Sequence, residues 1–232
     1  MKVNRRHDRA KELIEHLLSH PDFCESDGVA YELLKEYFRG SPIETLRILL
    51  SSPDDRLVGE ATWIASELPD TGKPLLKDVW GLLRHPSKKV RFWAILCIQL
   101  WADPSNGREL ASALRLVDDT EKGVRWQAMG FLSMISRERL EAALAELRAE
   151  GADSPYVCEL DWLLGPEGDD PAQIVAGLKA PDSRRRKFAA AAAFRIAKTS
   201  SEPLRCAASA DDPEVAQFAG DMLKRIALAQ PV

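Results

Sequence analysis

The sequence repeats one short pattern along most of its length. In each copy a break with Pro or Asp precedes an apolar anchor residue, and a small residue follows the anchor four positions later. The three clearest anchors are Leu57, Val90 and Val124, which lie 33 and 34 residues apart. Because one such unit is too small to bury its own apolar face, the repeat predicts units that stack on one another.

Three weaker copies follow, with anchors at Tyr156, Arg185 and Val215, at steps of 29 to 32 residues. Within the clear copies, apolar residues fall at the anchor and at 4, 7, 8 and 11 positions beyond it, as in Val90, Ala94, Cys97, Ile98 and Trp101. This spacing is helical and does not fit a strand. Pro or Asp in the break suits the start of a second helix. Each unit is therefore predicted to be a helical hairpin.

Two copies carry the same turn followed by Val-Arg and then a small residue. They are Pro86 to Arg91 with Ala94, and Glu121 to Arg125 with Ala128. This pattern resembles the HEAT repeat of the armadillo-type α-solenoid family, in the short form typical of bacterial proteins, and the resemblance spans roughly residues 42–229.

The resemblance implies an all-α fold: a right-handed α-α superhelix of about six HEAT-like hairpins plus an N-terminal capping helix pair. It also implies that the arginine after the anchor, present at Arg91, Arg125 and Arg186, makes polar contacts between repeats. Val58 and Ala216 replace this arginine in two copies. For function, the resemblance favours a protein-binding scaffold.

We predict a single domain over residues 1–232. Its parts are an N-terminal cap (1–41), tryptophan-rich repeats (42–164), a Gly-, Pro- and Asp-rich joint (165–171) and C-terminal repeats (172–232).

The formal net charge is -4, whereas nucleic-acid binders usually carry a basic excess that neutralises phosphates. Nucleic acid is therefore disfavoured as a ligand. The N-terminus runs into an amphipathic helix, and the apolar segment 92–102 is too short to span a bilayer, so we expect a cytoplasmic monomer without a membrane partner. Cysteines 24, 97, 158 and 206 form no CxxC or zinc-ligand cluster and are expected to be reduced core thiols.

The sequence contains no GxGxxG, GxxxxGK[ST], HExxH or GxSxG motif. We therefore expect no enzymatic activity, catalytic residue, metal or cofactor. His16 and His20 have the spacing of a two-histidine metal site, which Asp22 or Cys24 could complete. The alternative is two solvated residues near a helix C-terminus, where histidine favours the helix dipole.

A basic run spans residues 184–187, directly after Asp182. It either grips phosphates or an acidic partner, or forms the solvated start of a helix. The pairs Asp118-Asp119 and Asp211-Asp212 lie in predicted turns, where aspartate caps a helix.

Four of the six tryptophans lie off the predicted core positions of the second helices, on the side that lines the concave surface of a HEAT array. Acids and amides lie near them. An aromatic surface with polar neighbours is typical of a protein-binding hot spot, although each tryptophan could instead pack between helices. The predicted partner-binding residues are Glu60, Trp63, Glu67, Trp93, Gln99, Trp126, Gln127, Glu159 and Trp162. Trp101 is predicted to be core.

The leading hypothesis is a non-enzymatic protein-binding scaffold or adaptor, and its finer form is an inhibitor or immunity-type protein that masks a basic protein partner through its concave face. The alternative is a HEAT-like DNA-binding protein or a repair enzyme that resembles the alkylpurine DNA glycosylases, which are small HEAT-like solenoids of comparable length. That family's motif places Trp directly before Val-Arg, whereas Lys89 and Gly123 occupy those positions here.

Overall fold

A computed structural model describes residues 3–20, 28–151 and 153–229, and every regular element within these ranges is helical. This confirms the predicted all-α class. The α-helices are α1 (Val3–Ser19), α2 (Val29–Phe38), α3 (Arg47–Leu50), α4 (Asp55–Ser66), α5 (Leu76–Leu82), α6 (Lys88–Trp101), α7 (Gly107–Arg115), α8 (Lys122–Met134), α9 (Arg137–Glu150), α10 (Pro155–Leu164), α11 (Pro171–Leu178), α12 (Ser183–Arg195), α13 (Glu202–Ala208) and α14 (Pro213–Ala229).

The second helices of the hairpins are α4, α6, α8, α10, α12 and α14, and each begins one or two residues before its predicted anchor. Some of the first helices have a short 3-10 helix shortly before or after them in the chain. These 3-10 helices are Ile43–Leu46, Lys73–Leu75, Leu116–Asp118 and Pro166–Gly168. In the clear copies the anchors Leu57, Val90 and Val124 are buried. The helical repeat predicted from spacing is therefore confirmed.

Two of the weaker anchors do not behave as apolar core residues. Tyr156 is half-buried, while the following residue, Val157, is buried in its place. Arg185 is also half-buried and ends in an ion pair. The residues four positions after these anchors, Leu160 and Ala189, are fully buried, so both copies keep the spacing of the repeat.

The chain forms two compact units, Met1–Ala102 and Asp103–Val232. In the first unit, α1 packs on α2, and α6 packs on both α4 and α5. Trp101 is buried as predicted, and its indole N–H donates to the carbonyl of Leu68 at 3.0 Å. Gly72 is required beside this ring, since a Cβ at that position would lie 2.1 Å from Cζ2 of Trp101.

The second unit does not follow the simple order of a linear array. The first helices α7 and α9 of neighbouring hairpins pack together. Helix α8, however, packs on α12, which lies two hairpins further along the chain, and also contacts α14, which lies three hairpins further along. Helix α12 thereby contacts α8, α10, α11, α13 and α14. The uninterrupted alanine run at 189–193 is completely buried, because small side chains let neighbouring helices approach α12 from several sides.

The Gly-, Pro- and Asp-rich segment 165–171 connects α10 to α11. It lies inside the second unit, where the 3-10 helix Pro166–Gly168 packs on α10 and α11. Gly168 is buried here, and a Cβ on it would lie 2.1 Å from the carbonyl oxygen of Leu163. Glycine therefore permits a tightly packed corner.

The cysteines differ from one another in exposure. Cys97 is buried, and its thiol donates to the carbonyl of Thr62 at 3.7 Å; burial raises its pKa well above the ordinary value. Cys158, however, is exposed, and Cys206 is half-buried. The expectation of core thiols is wrong for Cys158, which lies on the side of α10 opposite its buried Val157 and Leu160. Cys24 lies outside the described residues.

Candidate functional site

The basic run at the start of α12 is bound within the second unit. Its four consecutive cationic side chains, Arg184, Arg185, Arg186 and Lys187, each contact a carboxylate of the same unit. These carboxylates belong to three other hairpins, those that contain α8, α10 and α14. The run is therefore neither a solvated helix start nor a set of unpaired cations.

Two members of the run share one acid. Arg184 Nε donates to Asp118 Oδ2 at 2.6 Å, and Lys187 Nζ lies 3.5 Å from Asp118 Oδ1. Lys187 is only 6% exposed, and its Nζ also donates to the carbonyl of Val117 at 2.9 Å. The Tyr156 hydroxyl donates to Asp118 at 3.0 Å, and the Arg184 guanidinium lies 4.8 Å from the centre of the Tyr156 ring. Asp118 thus joins α12 and α10 to the turn before α8.

Arg185 pairs with a buried acid of α10. Its Nε lies 2.7 Å from Oε2 of Glu159, and its guanidinium lies 4.6 Å from the centre of the Trp162 ring. Burial raises the pKa of Glu159, and the charge of Arg185 opposes that rise. The pair therefore compensates a carboxylate that burial alone would favour in its neutral form.

The arginine that follows the anchor makes the same hydrogen bonds in three copies of the repeat. In Arg91, Arg125 and Arg186, Nη1 donates to the two turn carbonyls five and six residues earlier, at distances of 2.6 to 2.9 Å. The main contact is therefore to the turn of its own hairpin, rather than only between repeats as the resemblance implied. Such charged donors satisfy carbonyls that the turn leaves without helical partners.

Two of these arginines also reach another hairpin. Arg125 Nε donates to Glu214 Oε2 at 2.8 Å, and Arg186 Nε donates to Asp212 Oδ2 at 2.9 Å. Hydrogen bonds from Arg125 lower the pKa of Glu214. Burial would raise the pKa of Asp212, but the bonds from Arg186 and the backbone outweigh it and lower that pKa. Both acids are therefore ionised at neutral pH.

The predicted capping role of the aspartate pairs holds for Asp212, which accepts from the backbone N–H of Glu214 at 3.0 Å. Asp119 accepts from the N–H of Glu121 at 2.8 Å within the turn before α8. Asp118 is different, because its described contacts are the ion pairs and the tyrosine given above.

These charged groups border a cleft of about 1160 Å³ within the second unit. The cleft lies where three inter-helix turns meet, before α8, α12 and α14. Arg125, Arg186 and Lys187 line it, and all three are bound to acids of the chain. Lys179 also lines it and is exposed.

The predicted tryptophans divide between the two units. In the first unit, Trp63 lies on α4 and Trp93 on α6, two helices that pack together. Both are half-buried, and neither indole nitrogen is fully buried or hydrogen-bonded to a residue that the structure describes. Trp93 makes an edge contact with the neighbouring Phe92. These two side chains leave both apolar area and an N–H donor accessible.

In the second unit the predicted tryptophans pack between helices. Trp126 on α8 makes an edge contact with Phe218 on α14, with ring centres 6.1 Å apart, and Arg225 lies 5.2 Å from the centre of its ring. Its indole nitrogen is buried without a hydrogen-bond partner. Trp162 lies under Arg185. Both residues are thus engaged in contacts of the unit itself.

The predicted polar neighbours are mostly unavailable as a polar rim. Glu60 is buried and accepts from Lys89 Nζ at 2.7 Å, while Gln127 and Glu159 are buried in the second unit. Gln99 is half-buried, and Glu67 is exposed. The helical spacing placed these residues on the correct helices, but it could not show that the hairpins would pack over three of them.

The two candidate metal-ligating histidines stack on each other, with ring centres 4.9 Å apart, at the end of α1. Nδ1 of His20 lies 3.3 Å from the carbonyl oxygen of His16. Asp22 and Cys24 lie outside the described residues. Among the residues that are described, no group of three or more His, Cys, Asp or Glu is placed to hold a metal ion.

No family model matches the chain, and no curated protein matches it. Solved structures that resemble it include an engineered protein from a structural genomics consortium, with 18% identity, a TM-score of 0.46 and coverage of 95% of this chain and 91% of that chain. A designed armadillo repeat protein in complex with the peptide (KR)4 has 16% identity, a TM-score of 0.46 and coverage of 97% and 99%. The likeness is one of helical-repeat architecture, and at these values it says nothing of function.

None of the described helices is both long enough and apolar enough to cross a membrane.

Proposed function

We propose that this helical-repeat protein is a non-enzymatic protein-binding scaffold that captures its partner through the surface of the first unit around Trp63 and Trp93. The observation that supports the proposal is the incomplete burial of these two indoles on adjacent helices, with both N–H donors unused within the described chain. Tryptophan is enriched at binding hot spots, because it buries a large area at a small entropic cost.

A finer proposal is an inhibitor or immunity-type role against a basic partner. The net charge of -4 and the exposed Glu67 support it, since an acidic protein attracts a basic one over long range. Glu60 and Glu159 contribute little to this attraction because Lys89 and Arg185 already neutralise them. The electrostatic contribution is therefore expected in the rate of association rather than in contact energy.

The DNA-binding alternative is the weaker proposal. The densest cationic segment of the chain would have to supply its phosphate contacts, yet Arg184, Arg185 and Arg186 are each bound to a carboxylate. Phosphate binding would first have to break these pairs.

The test begins with co-purification from the native host and identification of the partner, whose affinity is then measured by calorimetry. We expect Trp63→Ala and Trp93→Ala each to weaken binding by about 2 kcal/mol, roughly 30-fold, with helical content unchanged. Phe38→Ala is the comparison variant, because Phe38 is an exposed aromatic residue of the same unit on another helix, α2. Equal affinity of both tryptophan variants and the parent protein would refute the proposed surface.

For the basic-partner proposal, raising the salt concentration should slow association while dissociation changes little. An association rate that does not depend on salt would exclude that proposal and leave the tryptophan surface intact.

A further inference from the structure

The contact between α8 and α14 has the composition of an interface rather than of a core. Its polar part is the pair formed by Arg125 and Glu214, which are 89 residues apart in sequence and have side chains 18% and 21% exposed. The Arg125 guanidinium is held in place by the carbonyls of Asp119 and Thr120, so it is presented to Glu214 in a fixed orientation. This fixed geometry lowers the entropic cost of forming the pair.

The apolar part of the same contact is one aromatic edge. Phe218 follows Glu214 by one helical turn and is fully buried against the Trp126 ring, while Arg225, two turns further on, covers that ring from the other end. The indole N–H of Trp126 is buried without a partner, which is a cost that water would remove if the contact opened. Glu214, Phe218 and Arg225 thus form one face of α14 that closes over α8.

The helices on either side of this contact are held more firmly by other neighbours. Helix α14 packs extensively on α13 and α12, while α8 packs extensively on α12. At both ends of α8, α12 donates to backbone carbonyls: Lys187 to Val117, and Arg195 to Leu132 and Ile135. The cleft lined by Arg125 and Glu214 brings solvent to the edge of the contact between α8 and α14. Separation of α14 from α8 alone would break the Arg125–Glu214 pair and the contacts of Trp126 with Phe218 and Arg225, while the packing of α8 on α12 and of α14 on α13 could persist.

We propose that α14 is a latch: its Glu214, Phe218 and Arg225 face closes on Arg125 and Trp126 of α8 and opens locally while the rest of the second unit stays folded. In the open state the Trp126 indole meets solvent and the Arg125 guanidinium loses its carboxylate. Local opening of this kind has a smaller free energy than global unfolding.

The test is hydrogen exchange of the Trp126 indole N–H, measured by NMR on the full chain with Trp126→Phe used to assign the resonance. In Glu214→Gln, which keeps the shape and one acceptor oxygen but removes the negative charge, we expect this exchange to accelerate by about tenfold, because the ionic part of the pair with Arg125 is lost. The matched control is Glu150→Gln, which breaks the more exposed Arg115–Glu150 pair between α7 and α9 and should change the rate less than about twofold.

Two results would overturn the latch. One is an unchanged rate of indole exchange in Glu214→Gln. The other is indole exchange that occurs only with global unfolding, so that its free energy equals that from urea denaturation in both the parent protein and the variant.

Discussion

Replacement of Lys187 by methionine tests whether the basic run stabilises the second unit from within. Methionine keeps most of the volume of the lysine stem but removes the ammonium group. Lys187 is only 6% exposed, and its ammonium donates to the Val117 carbonyl at 2.9 Å and lies 3.5 Å from Asp118. The change leaves a buried carbonyl without its donor. Asp118 keeps Arg184 and Tyr156 as partners, so its charge is not stranded.

A hydrogen bond to a charged group contributes about 1.5 to 3 kcal/mol, and an unsatisfied buried carbonyl costs a similar amount. We therefore expect Lys187→Met to lower the free energy of unfolding by about 2 to 3 kcal/mol, measured by urea denaturation. Lys179→Met is the matched control: Lys179 lines the same cleft but is exposed and has no ion-pair partner among the described residues, so the change should stay within about 0.5 kcal/mol. Similar losses in both variants, or none in Lys187→Met, would refute the reasoning.

Burial raises the pKa of Tyr37 to about 12. Because the unfolded state loses this proton at lower pH than the folded state, the free energy of unfolding should fall by about 3 kcal/mol between roughly pH 10 and pH 12. Tyr37→Phe should abolish this loss, which urea titrations at each pH would measure. Gly168→Ala should lower the melting temperature, because the added Cβ would lie 2.1 Å from the carbonyl oxygen of Leu163. Gly130→Ala should raise the melting temperature, because Gly130 lies in the middle of α8 and an added Cβ would have nothing within 4 Å. The reverse order of the two melting temperatures would contradict the packing described. Val124→Asp should lower the free energy of unfolding of the second unit by several kcal/mol, because it places an unpaired charge at a fully buried anchor. An unchanged melting curve by circular dichroism would show that the anchor is not part of the core.

The helices could be predicted from the sequence because the anchors repeat with helical spacing and the turns contain capping residues. The burial of Leu57, Val90 and Val124 follows directly from that spacing. The weaker copies were less predictable, since Tyr156 and Arg185 replace apolar anchors by groups that reach acids of other hairpins. No local pattern identifies those acids, because they come from distant parts of the chain.

The order of packing in the second unit could not be read from a repeat, because each hairpin presents a similar small-residue face to its neighbours. One signal was present in the sequence. Five consecutive alanines at 189–193 give α12 small side chains on every side, which predicts a helix surrounded by others. The four cations that precede them were a second signal, since such a run beside a buried helix must find several carboxylates.

The tryptophan surface was predicted as one set of residues but divides by environment. Trp126 and Trp162 are covered by arginines of other helices, whereas Trp63 and Trp93 keep their N–H donors unused. Helical position alone cannot separate these cases, because the difference depends on which residues the facing helix supplies.

In the second unit α8 packs on α12 and also contacts α14, although these helices belong to the second and third hairpins after its own. The most direct measurement is the nuclear Overhauser effect between the ring protons of Trp126 and Phe218, whose ring centres lie 6.1 Å apart. We predict a clear cross-peak between these rings. In a linear array the two residues would be separated by three hairpin steps of about 10 Å each, roughly 30 Å in total, and no cross-peak could arise. Cross-peaks from Trp126 to residues of α10, with none to Phe218, would contradict the account.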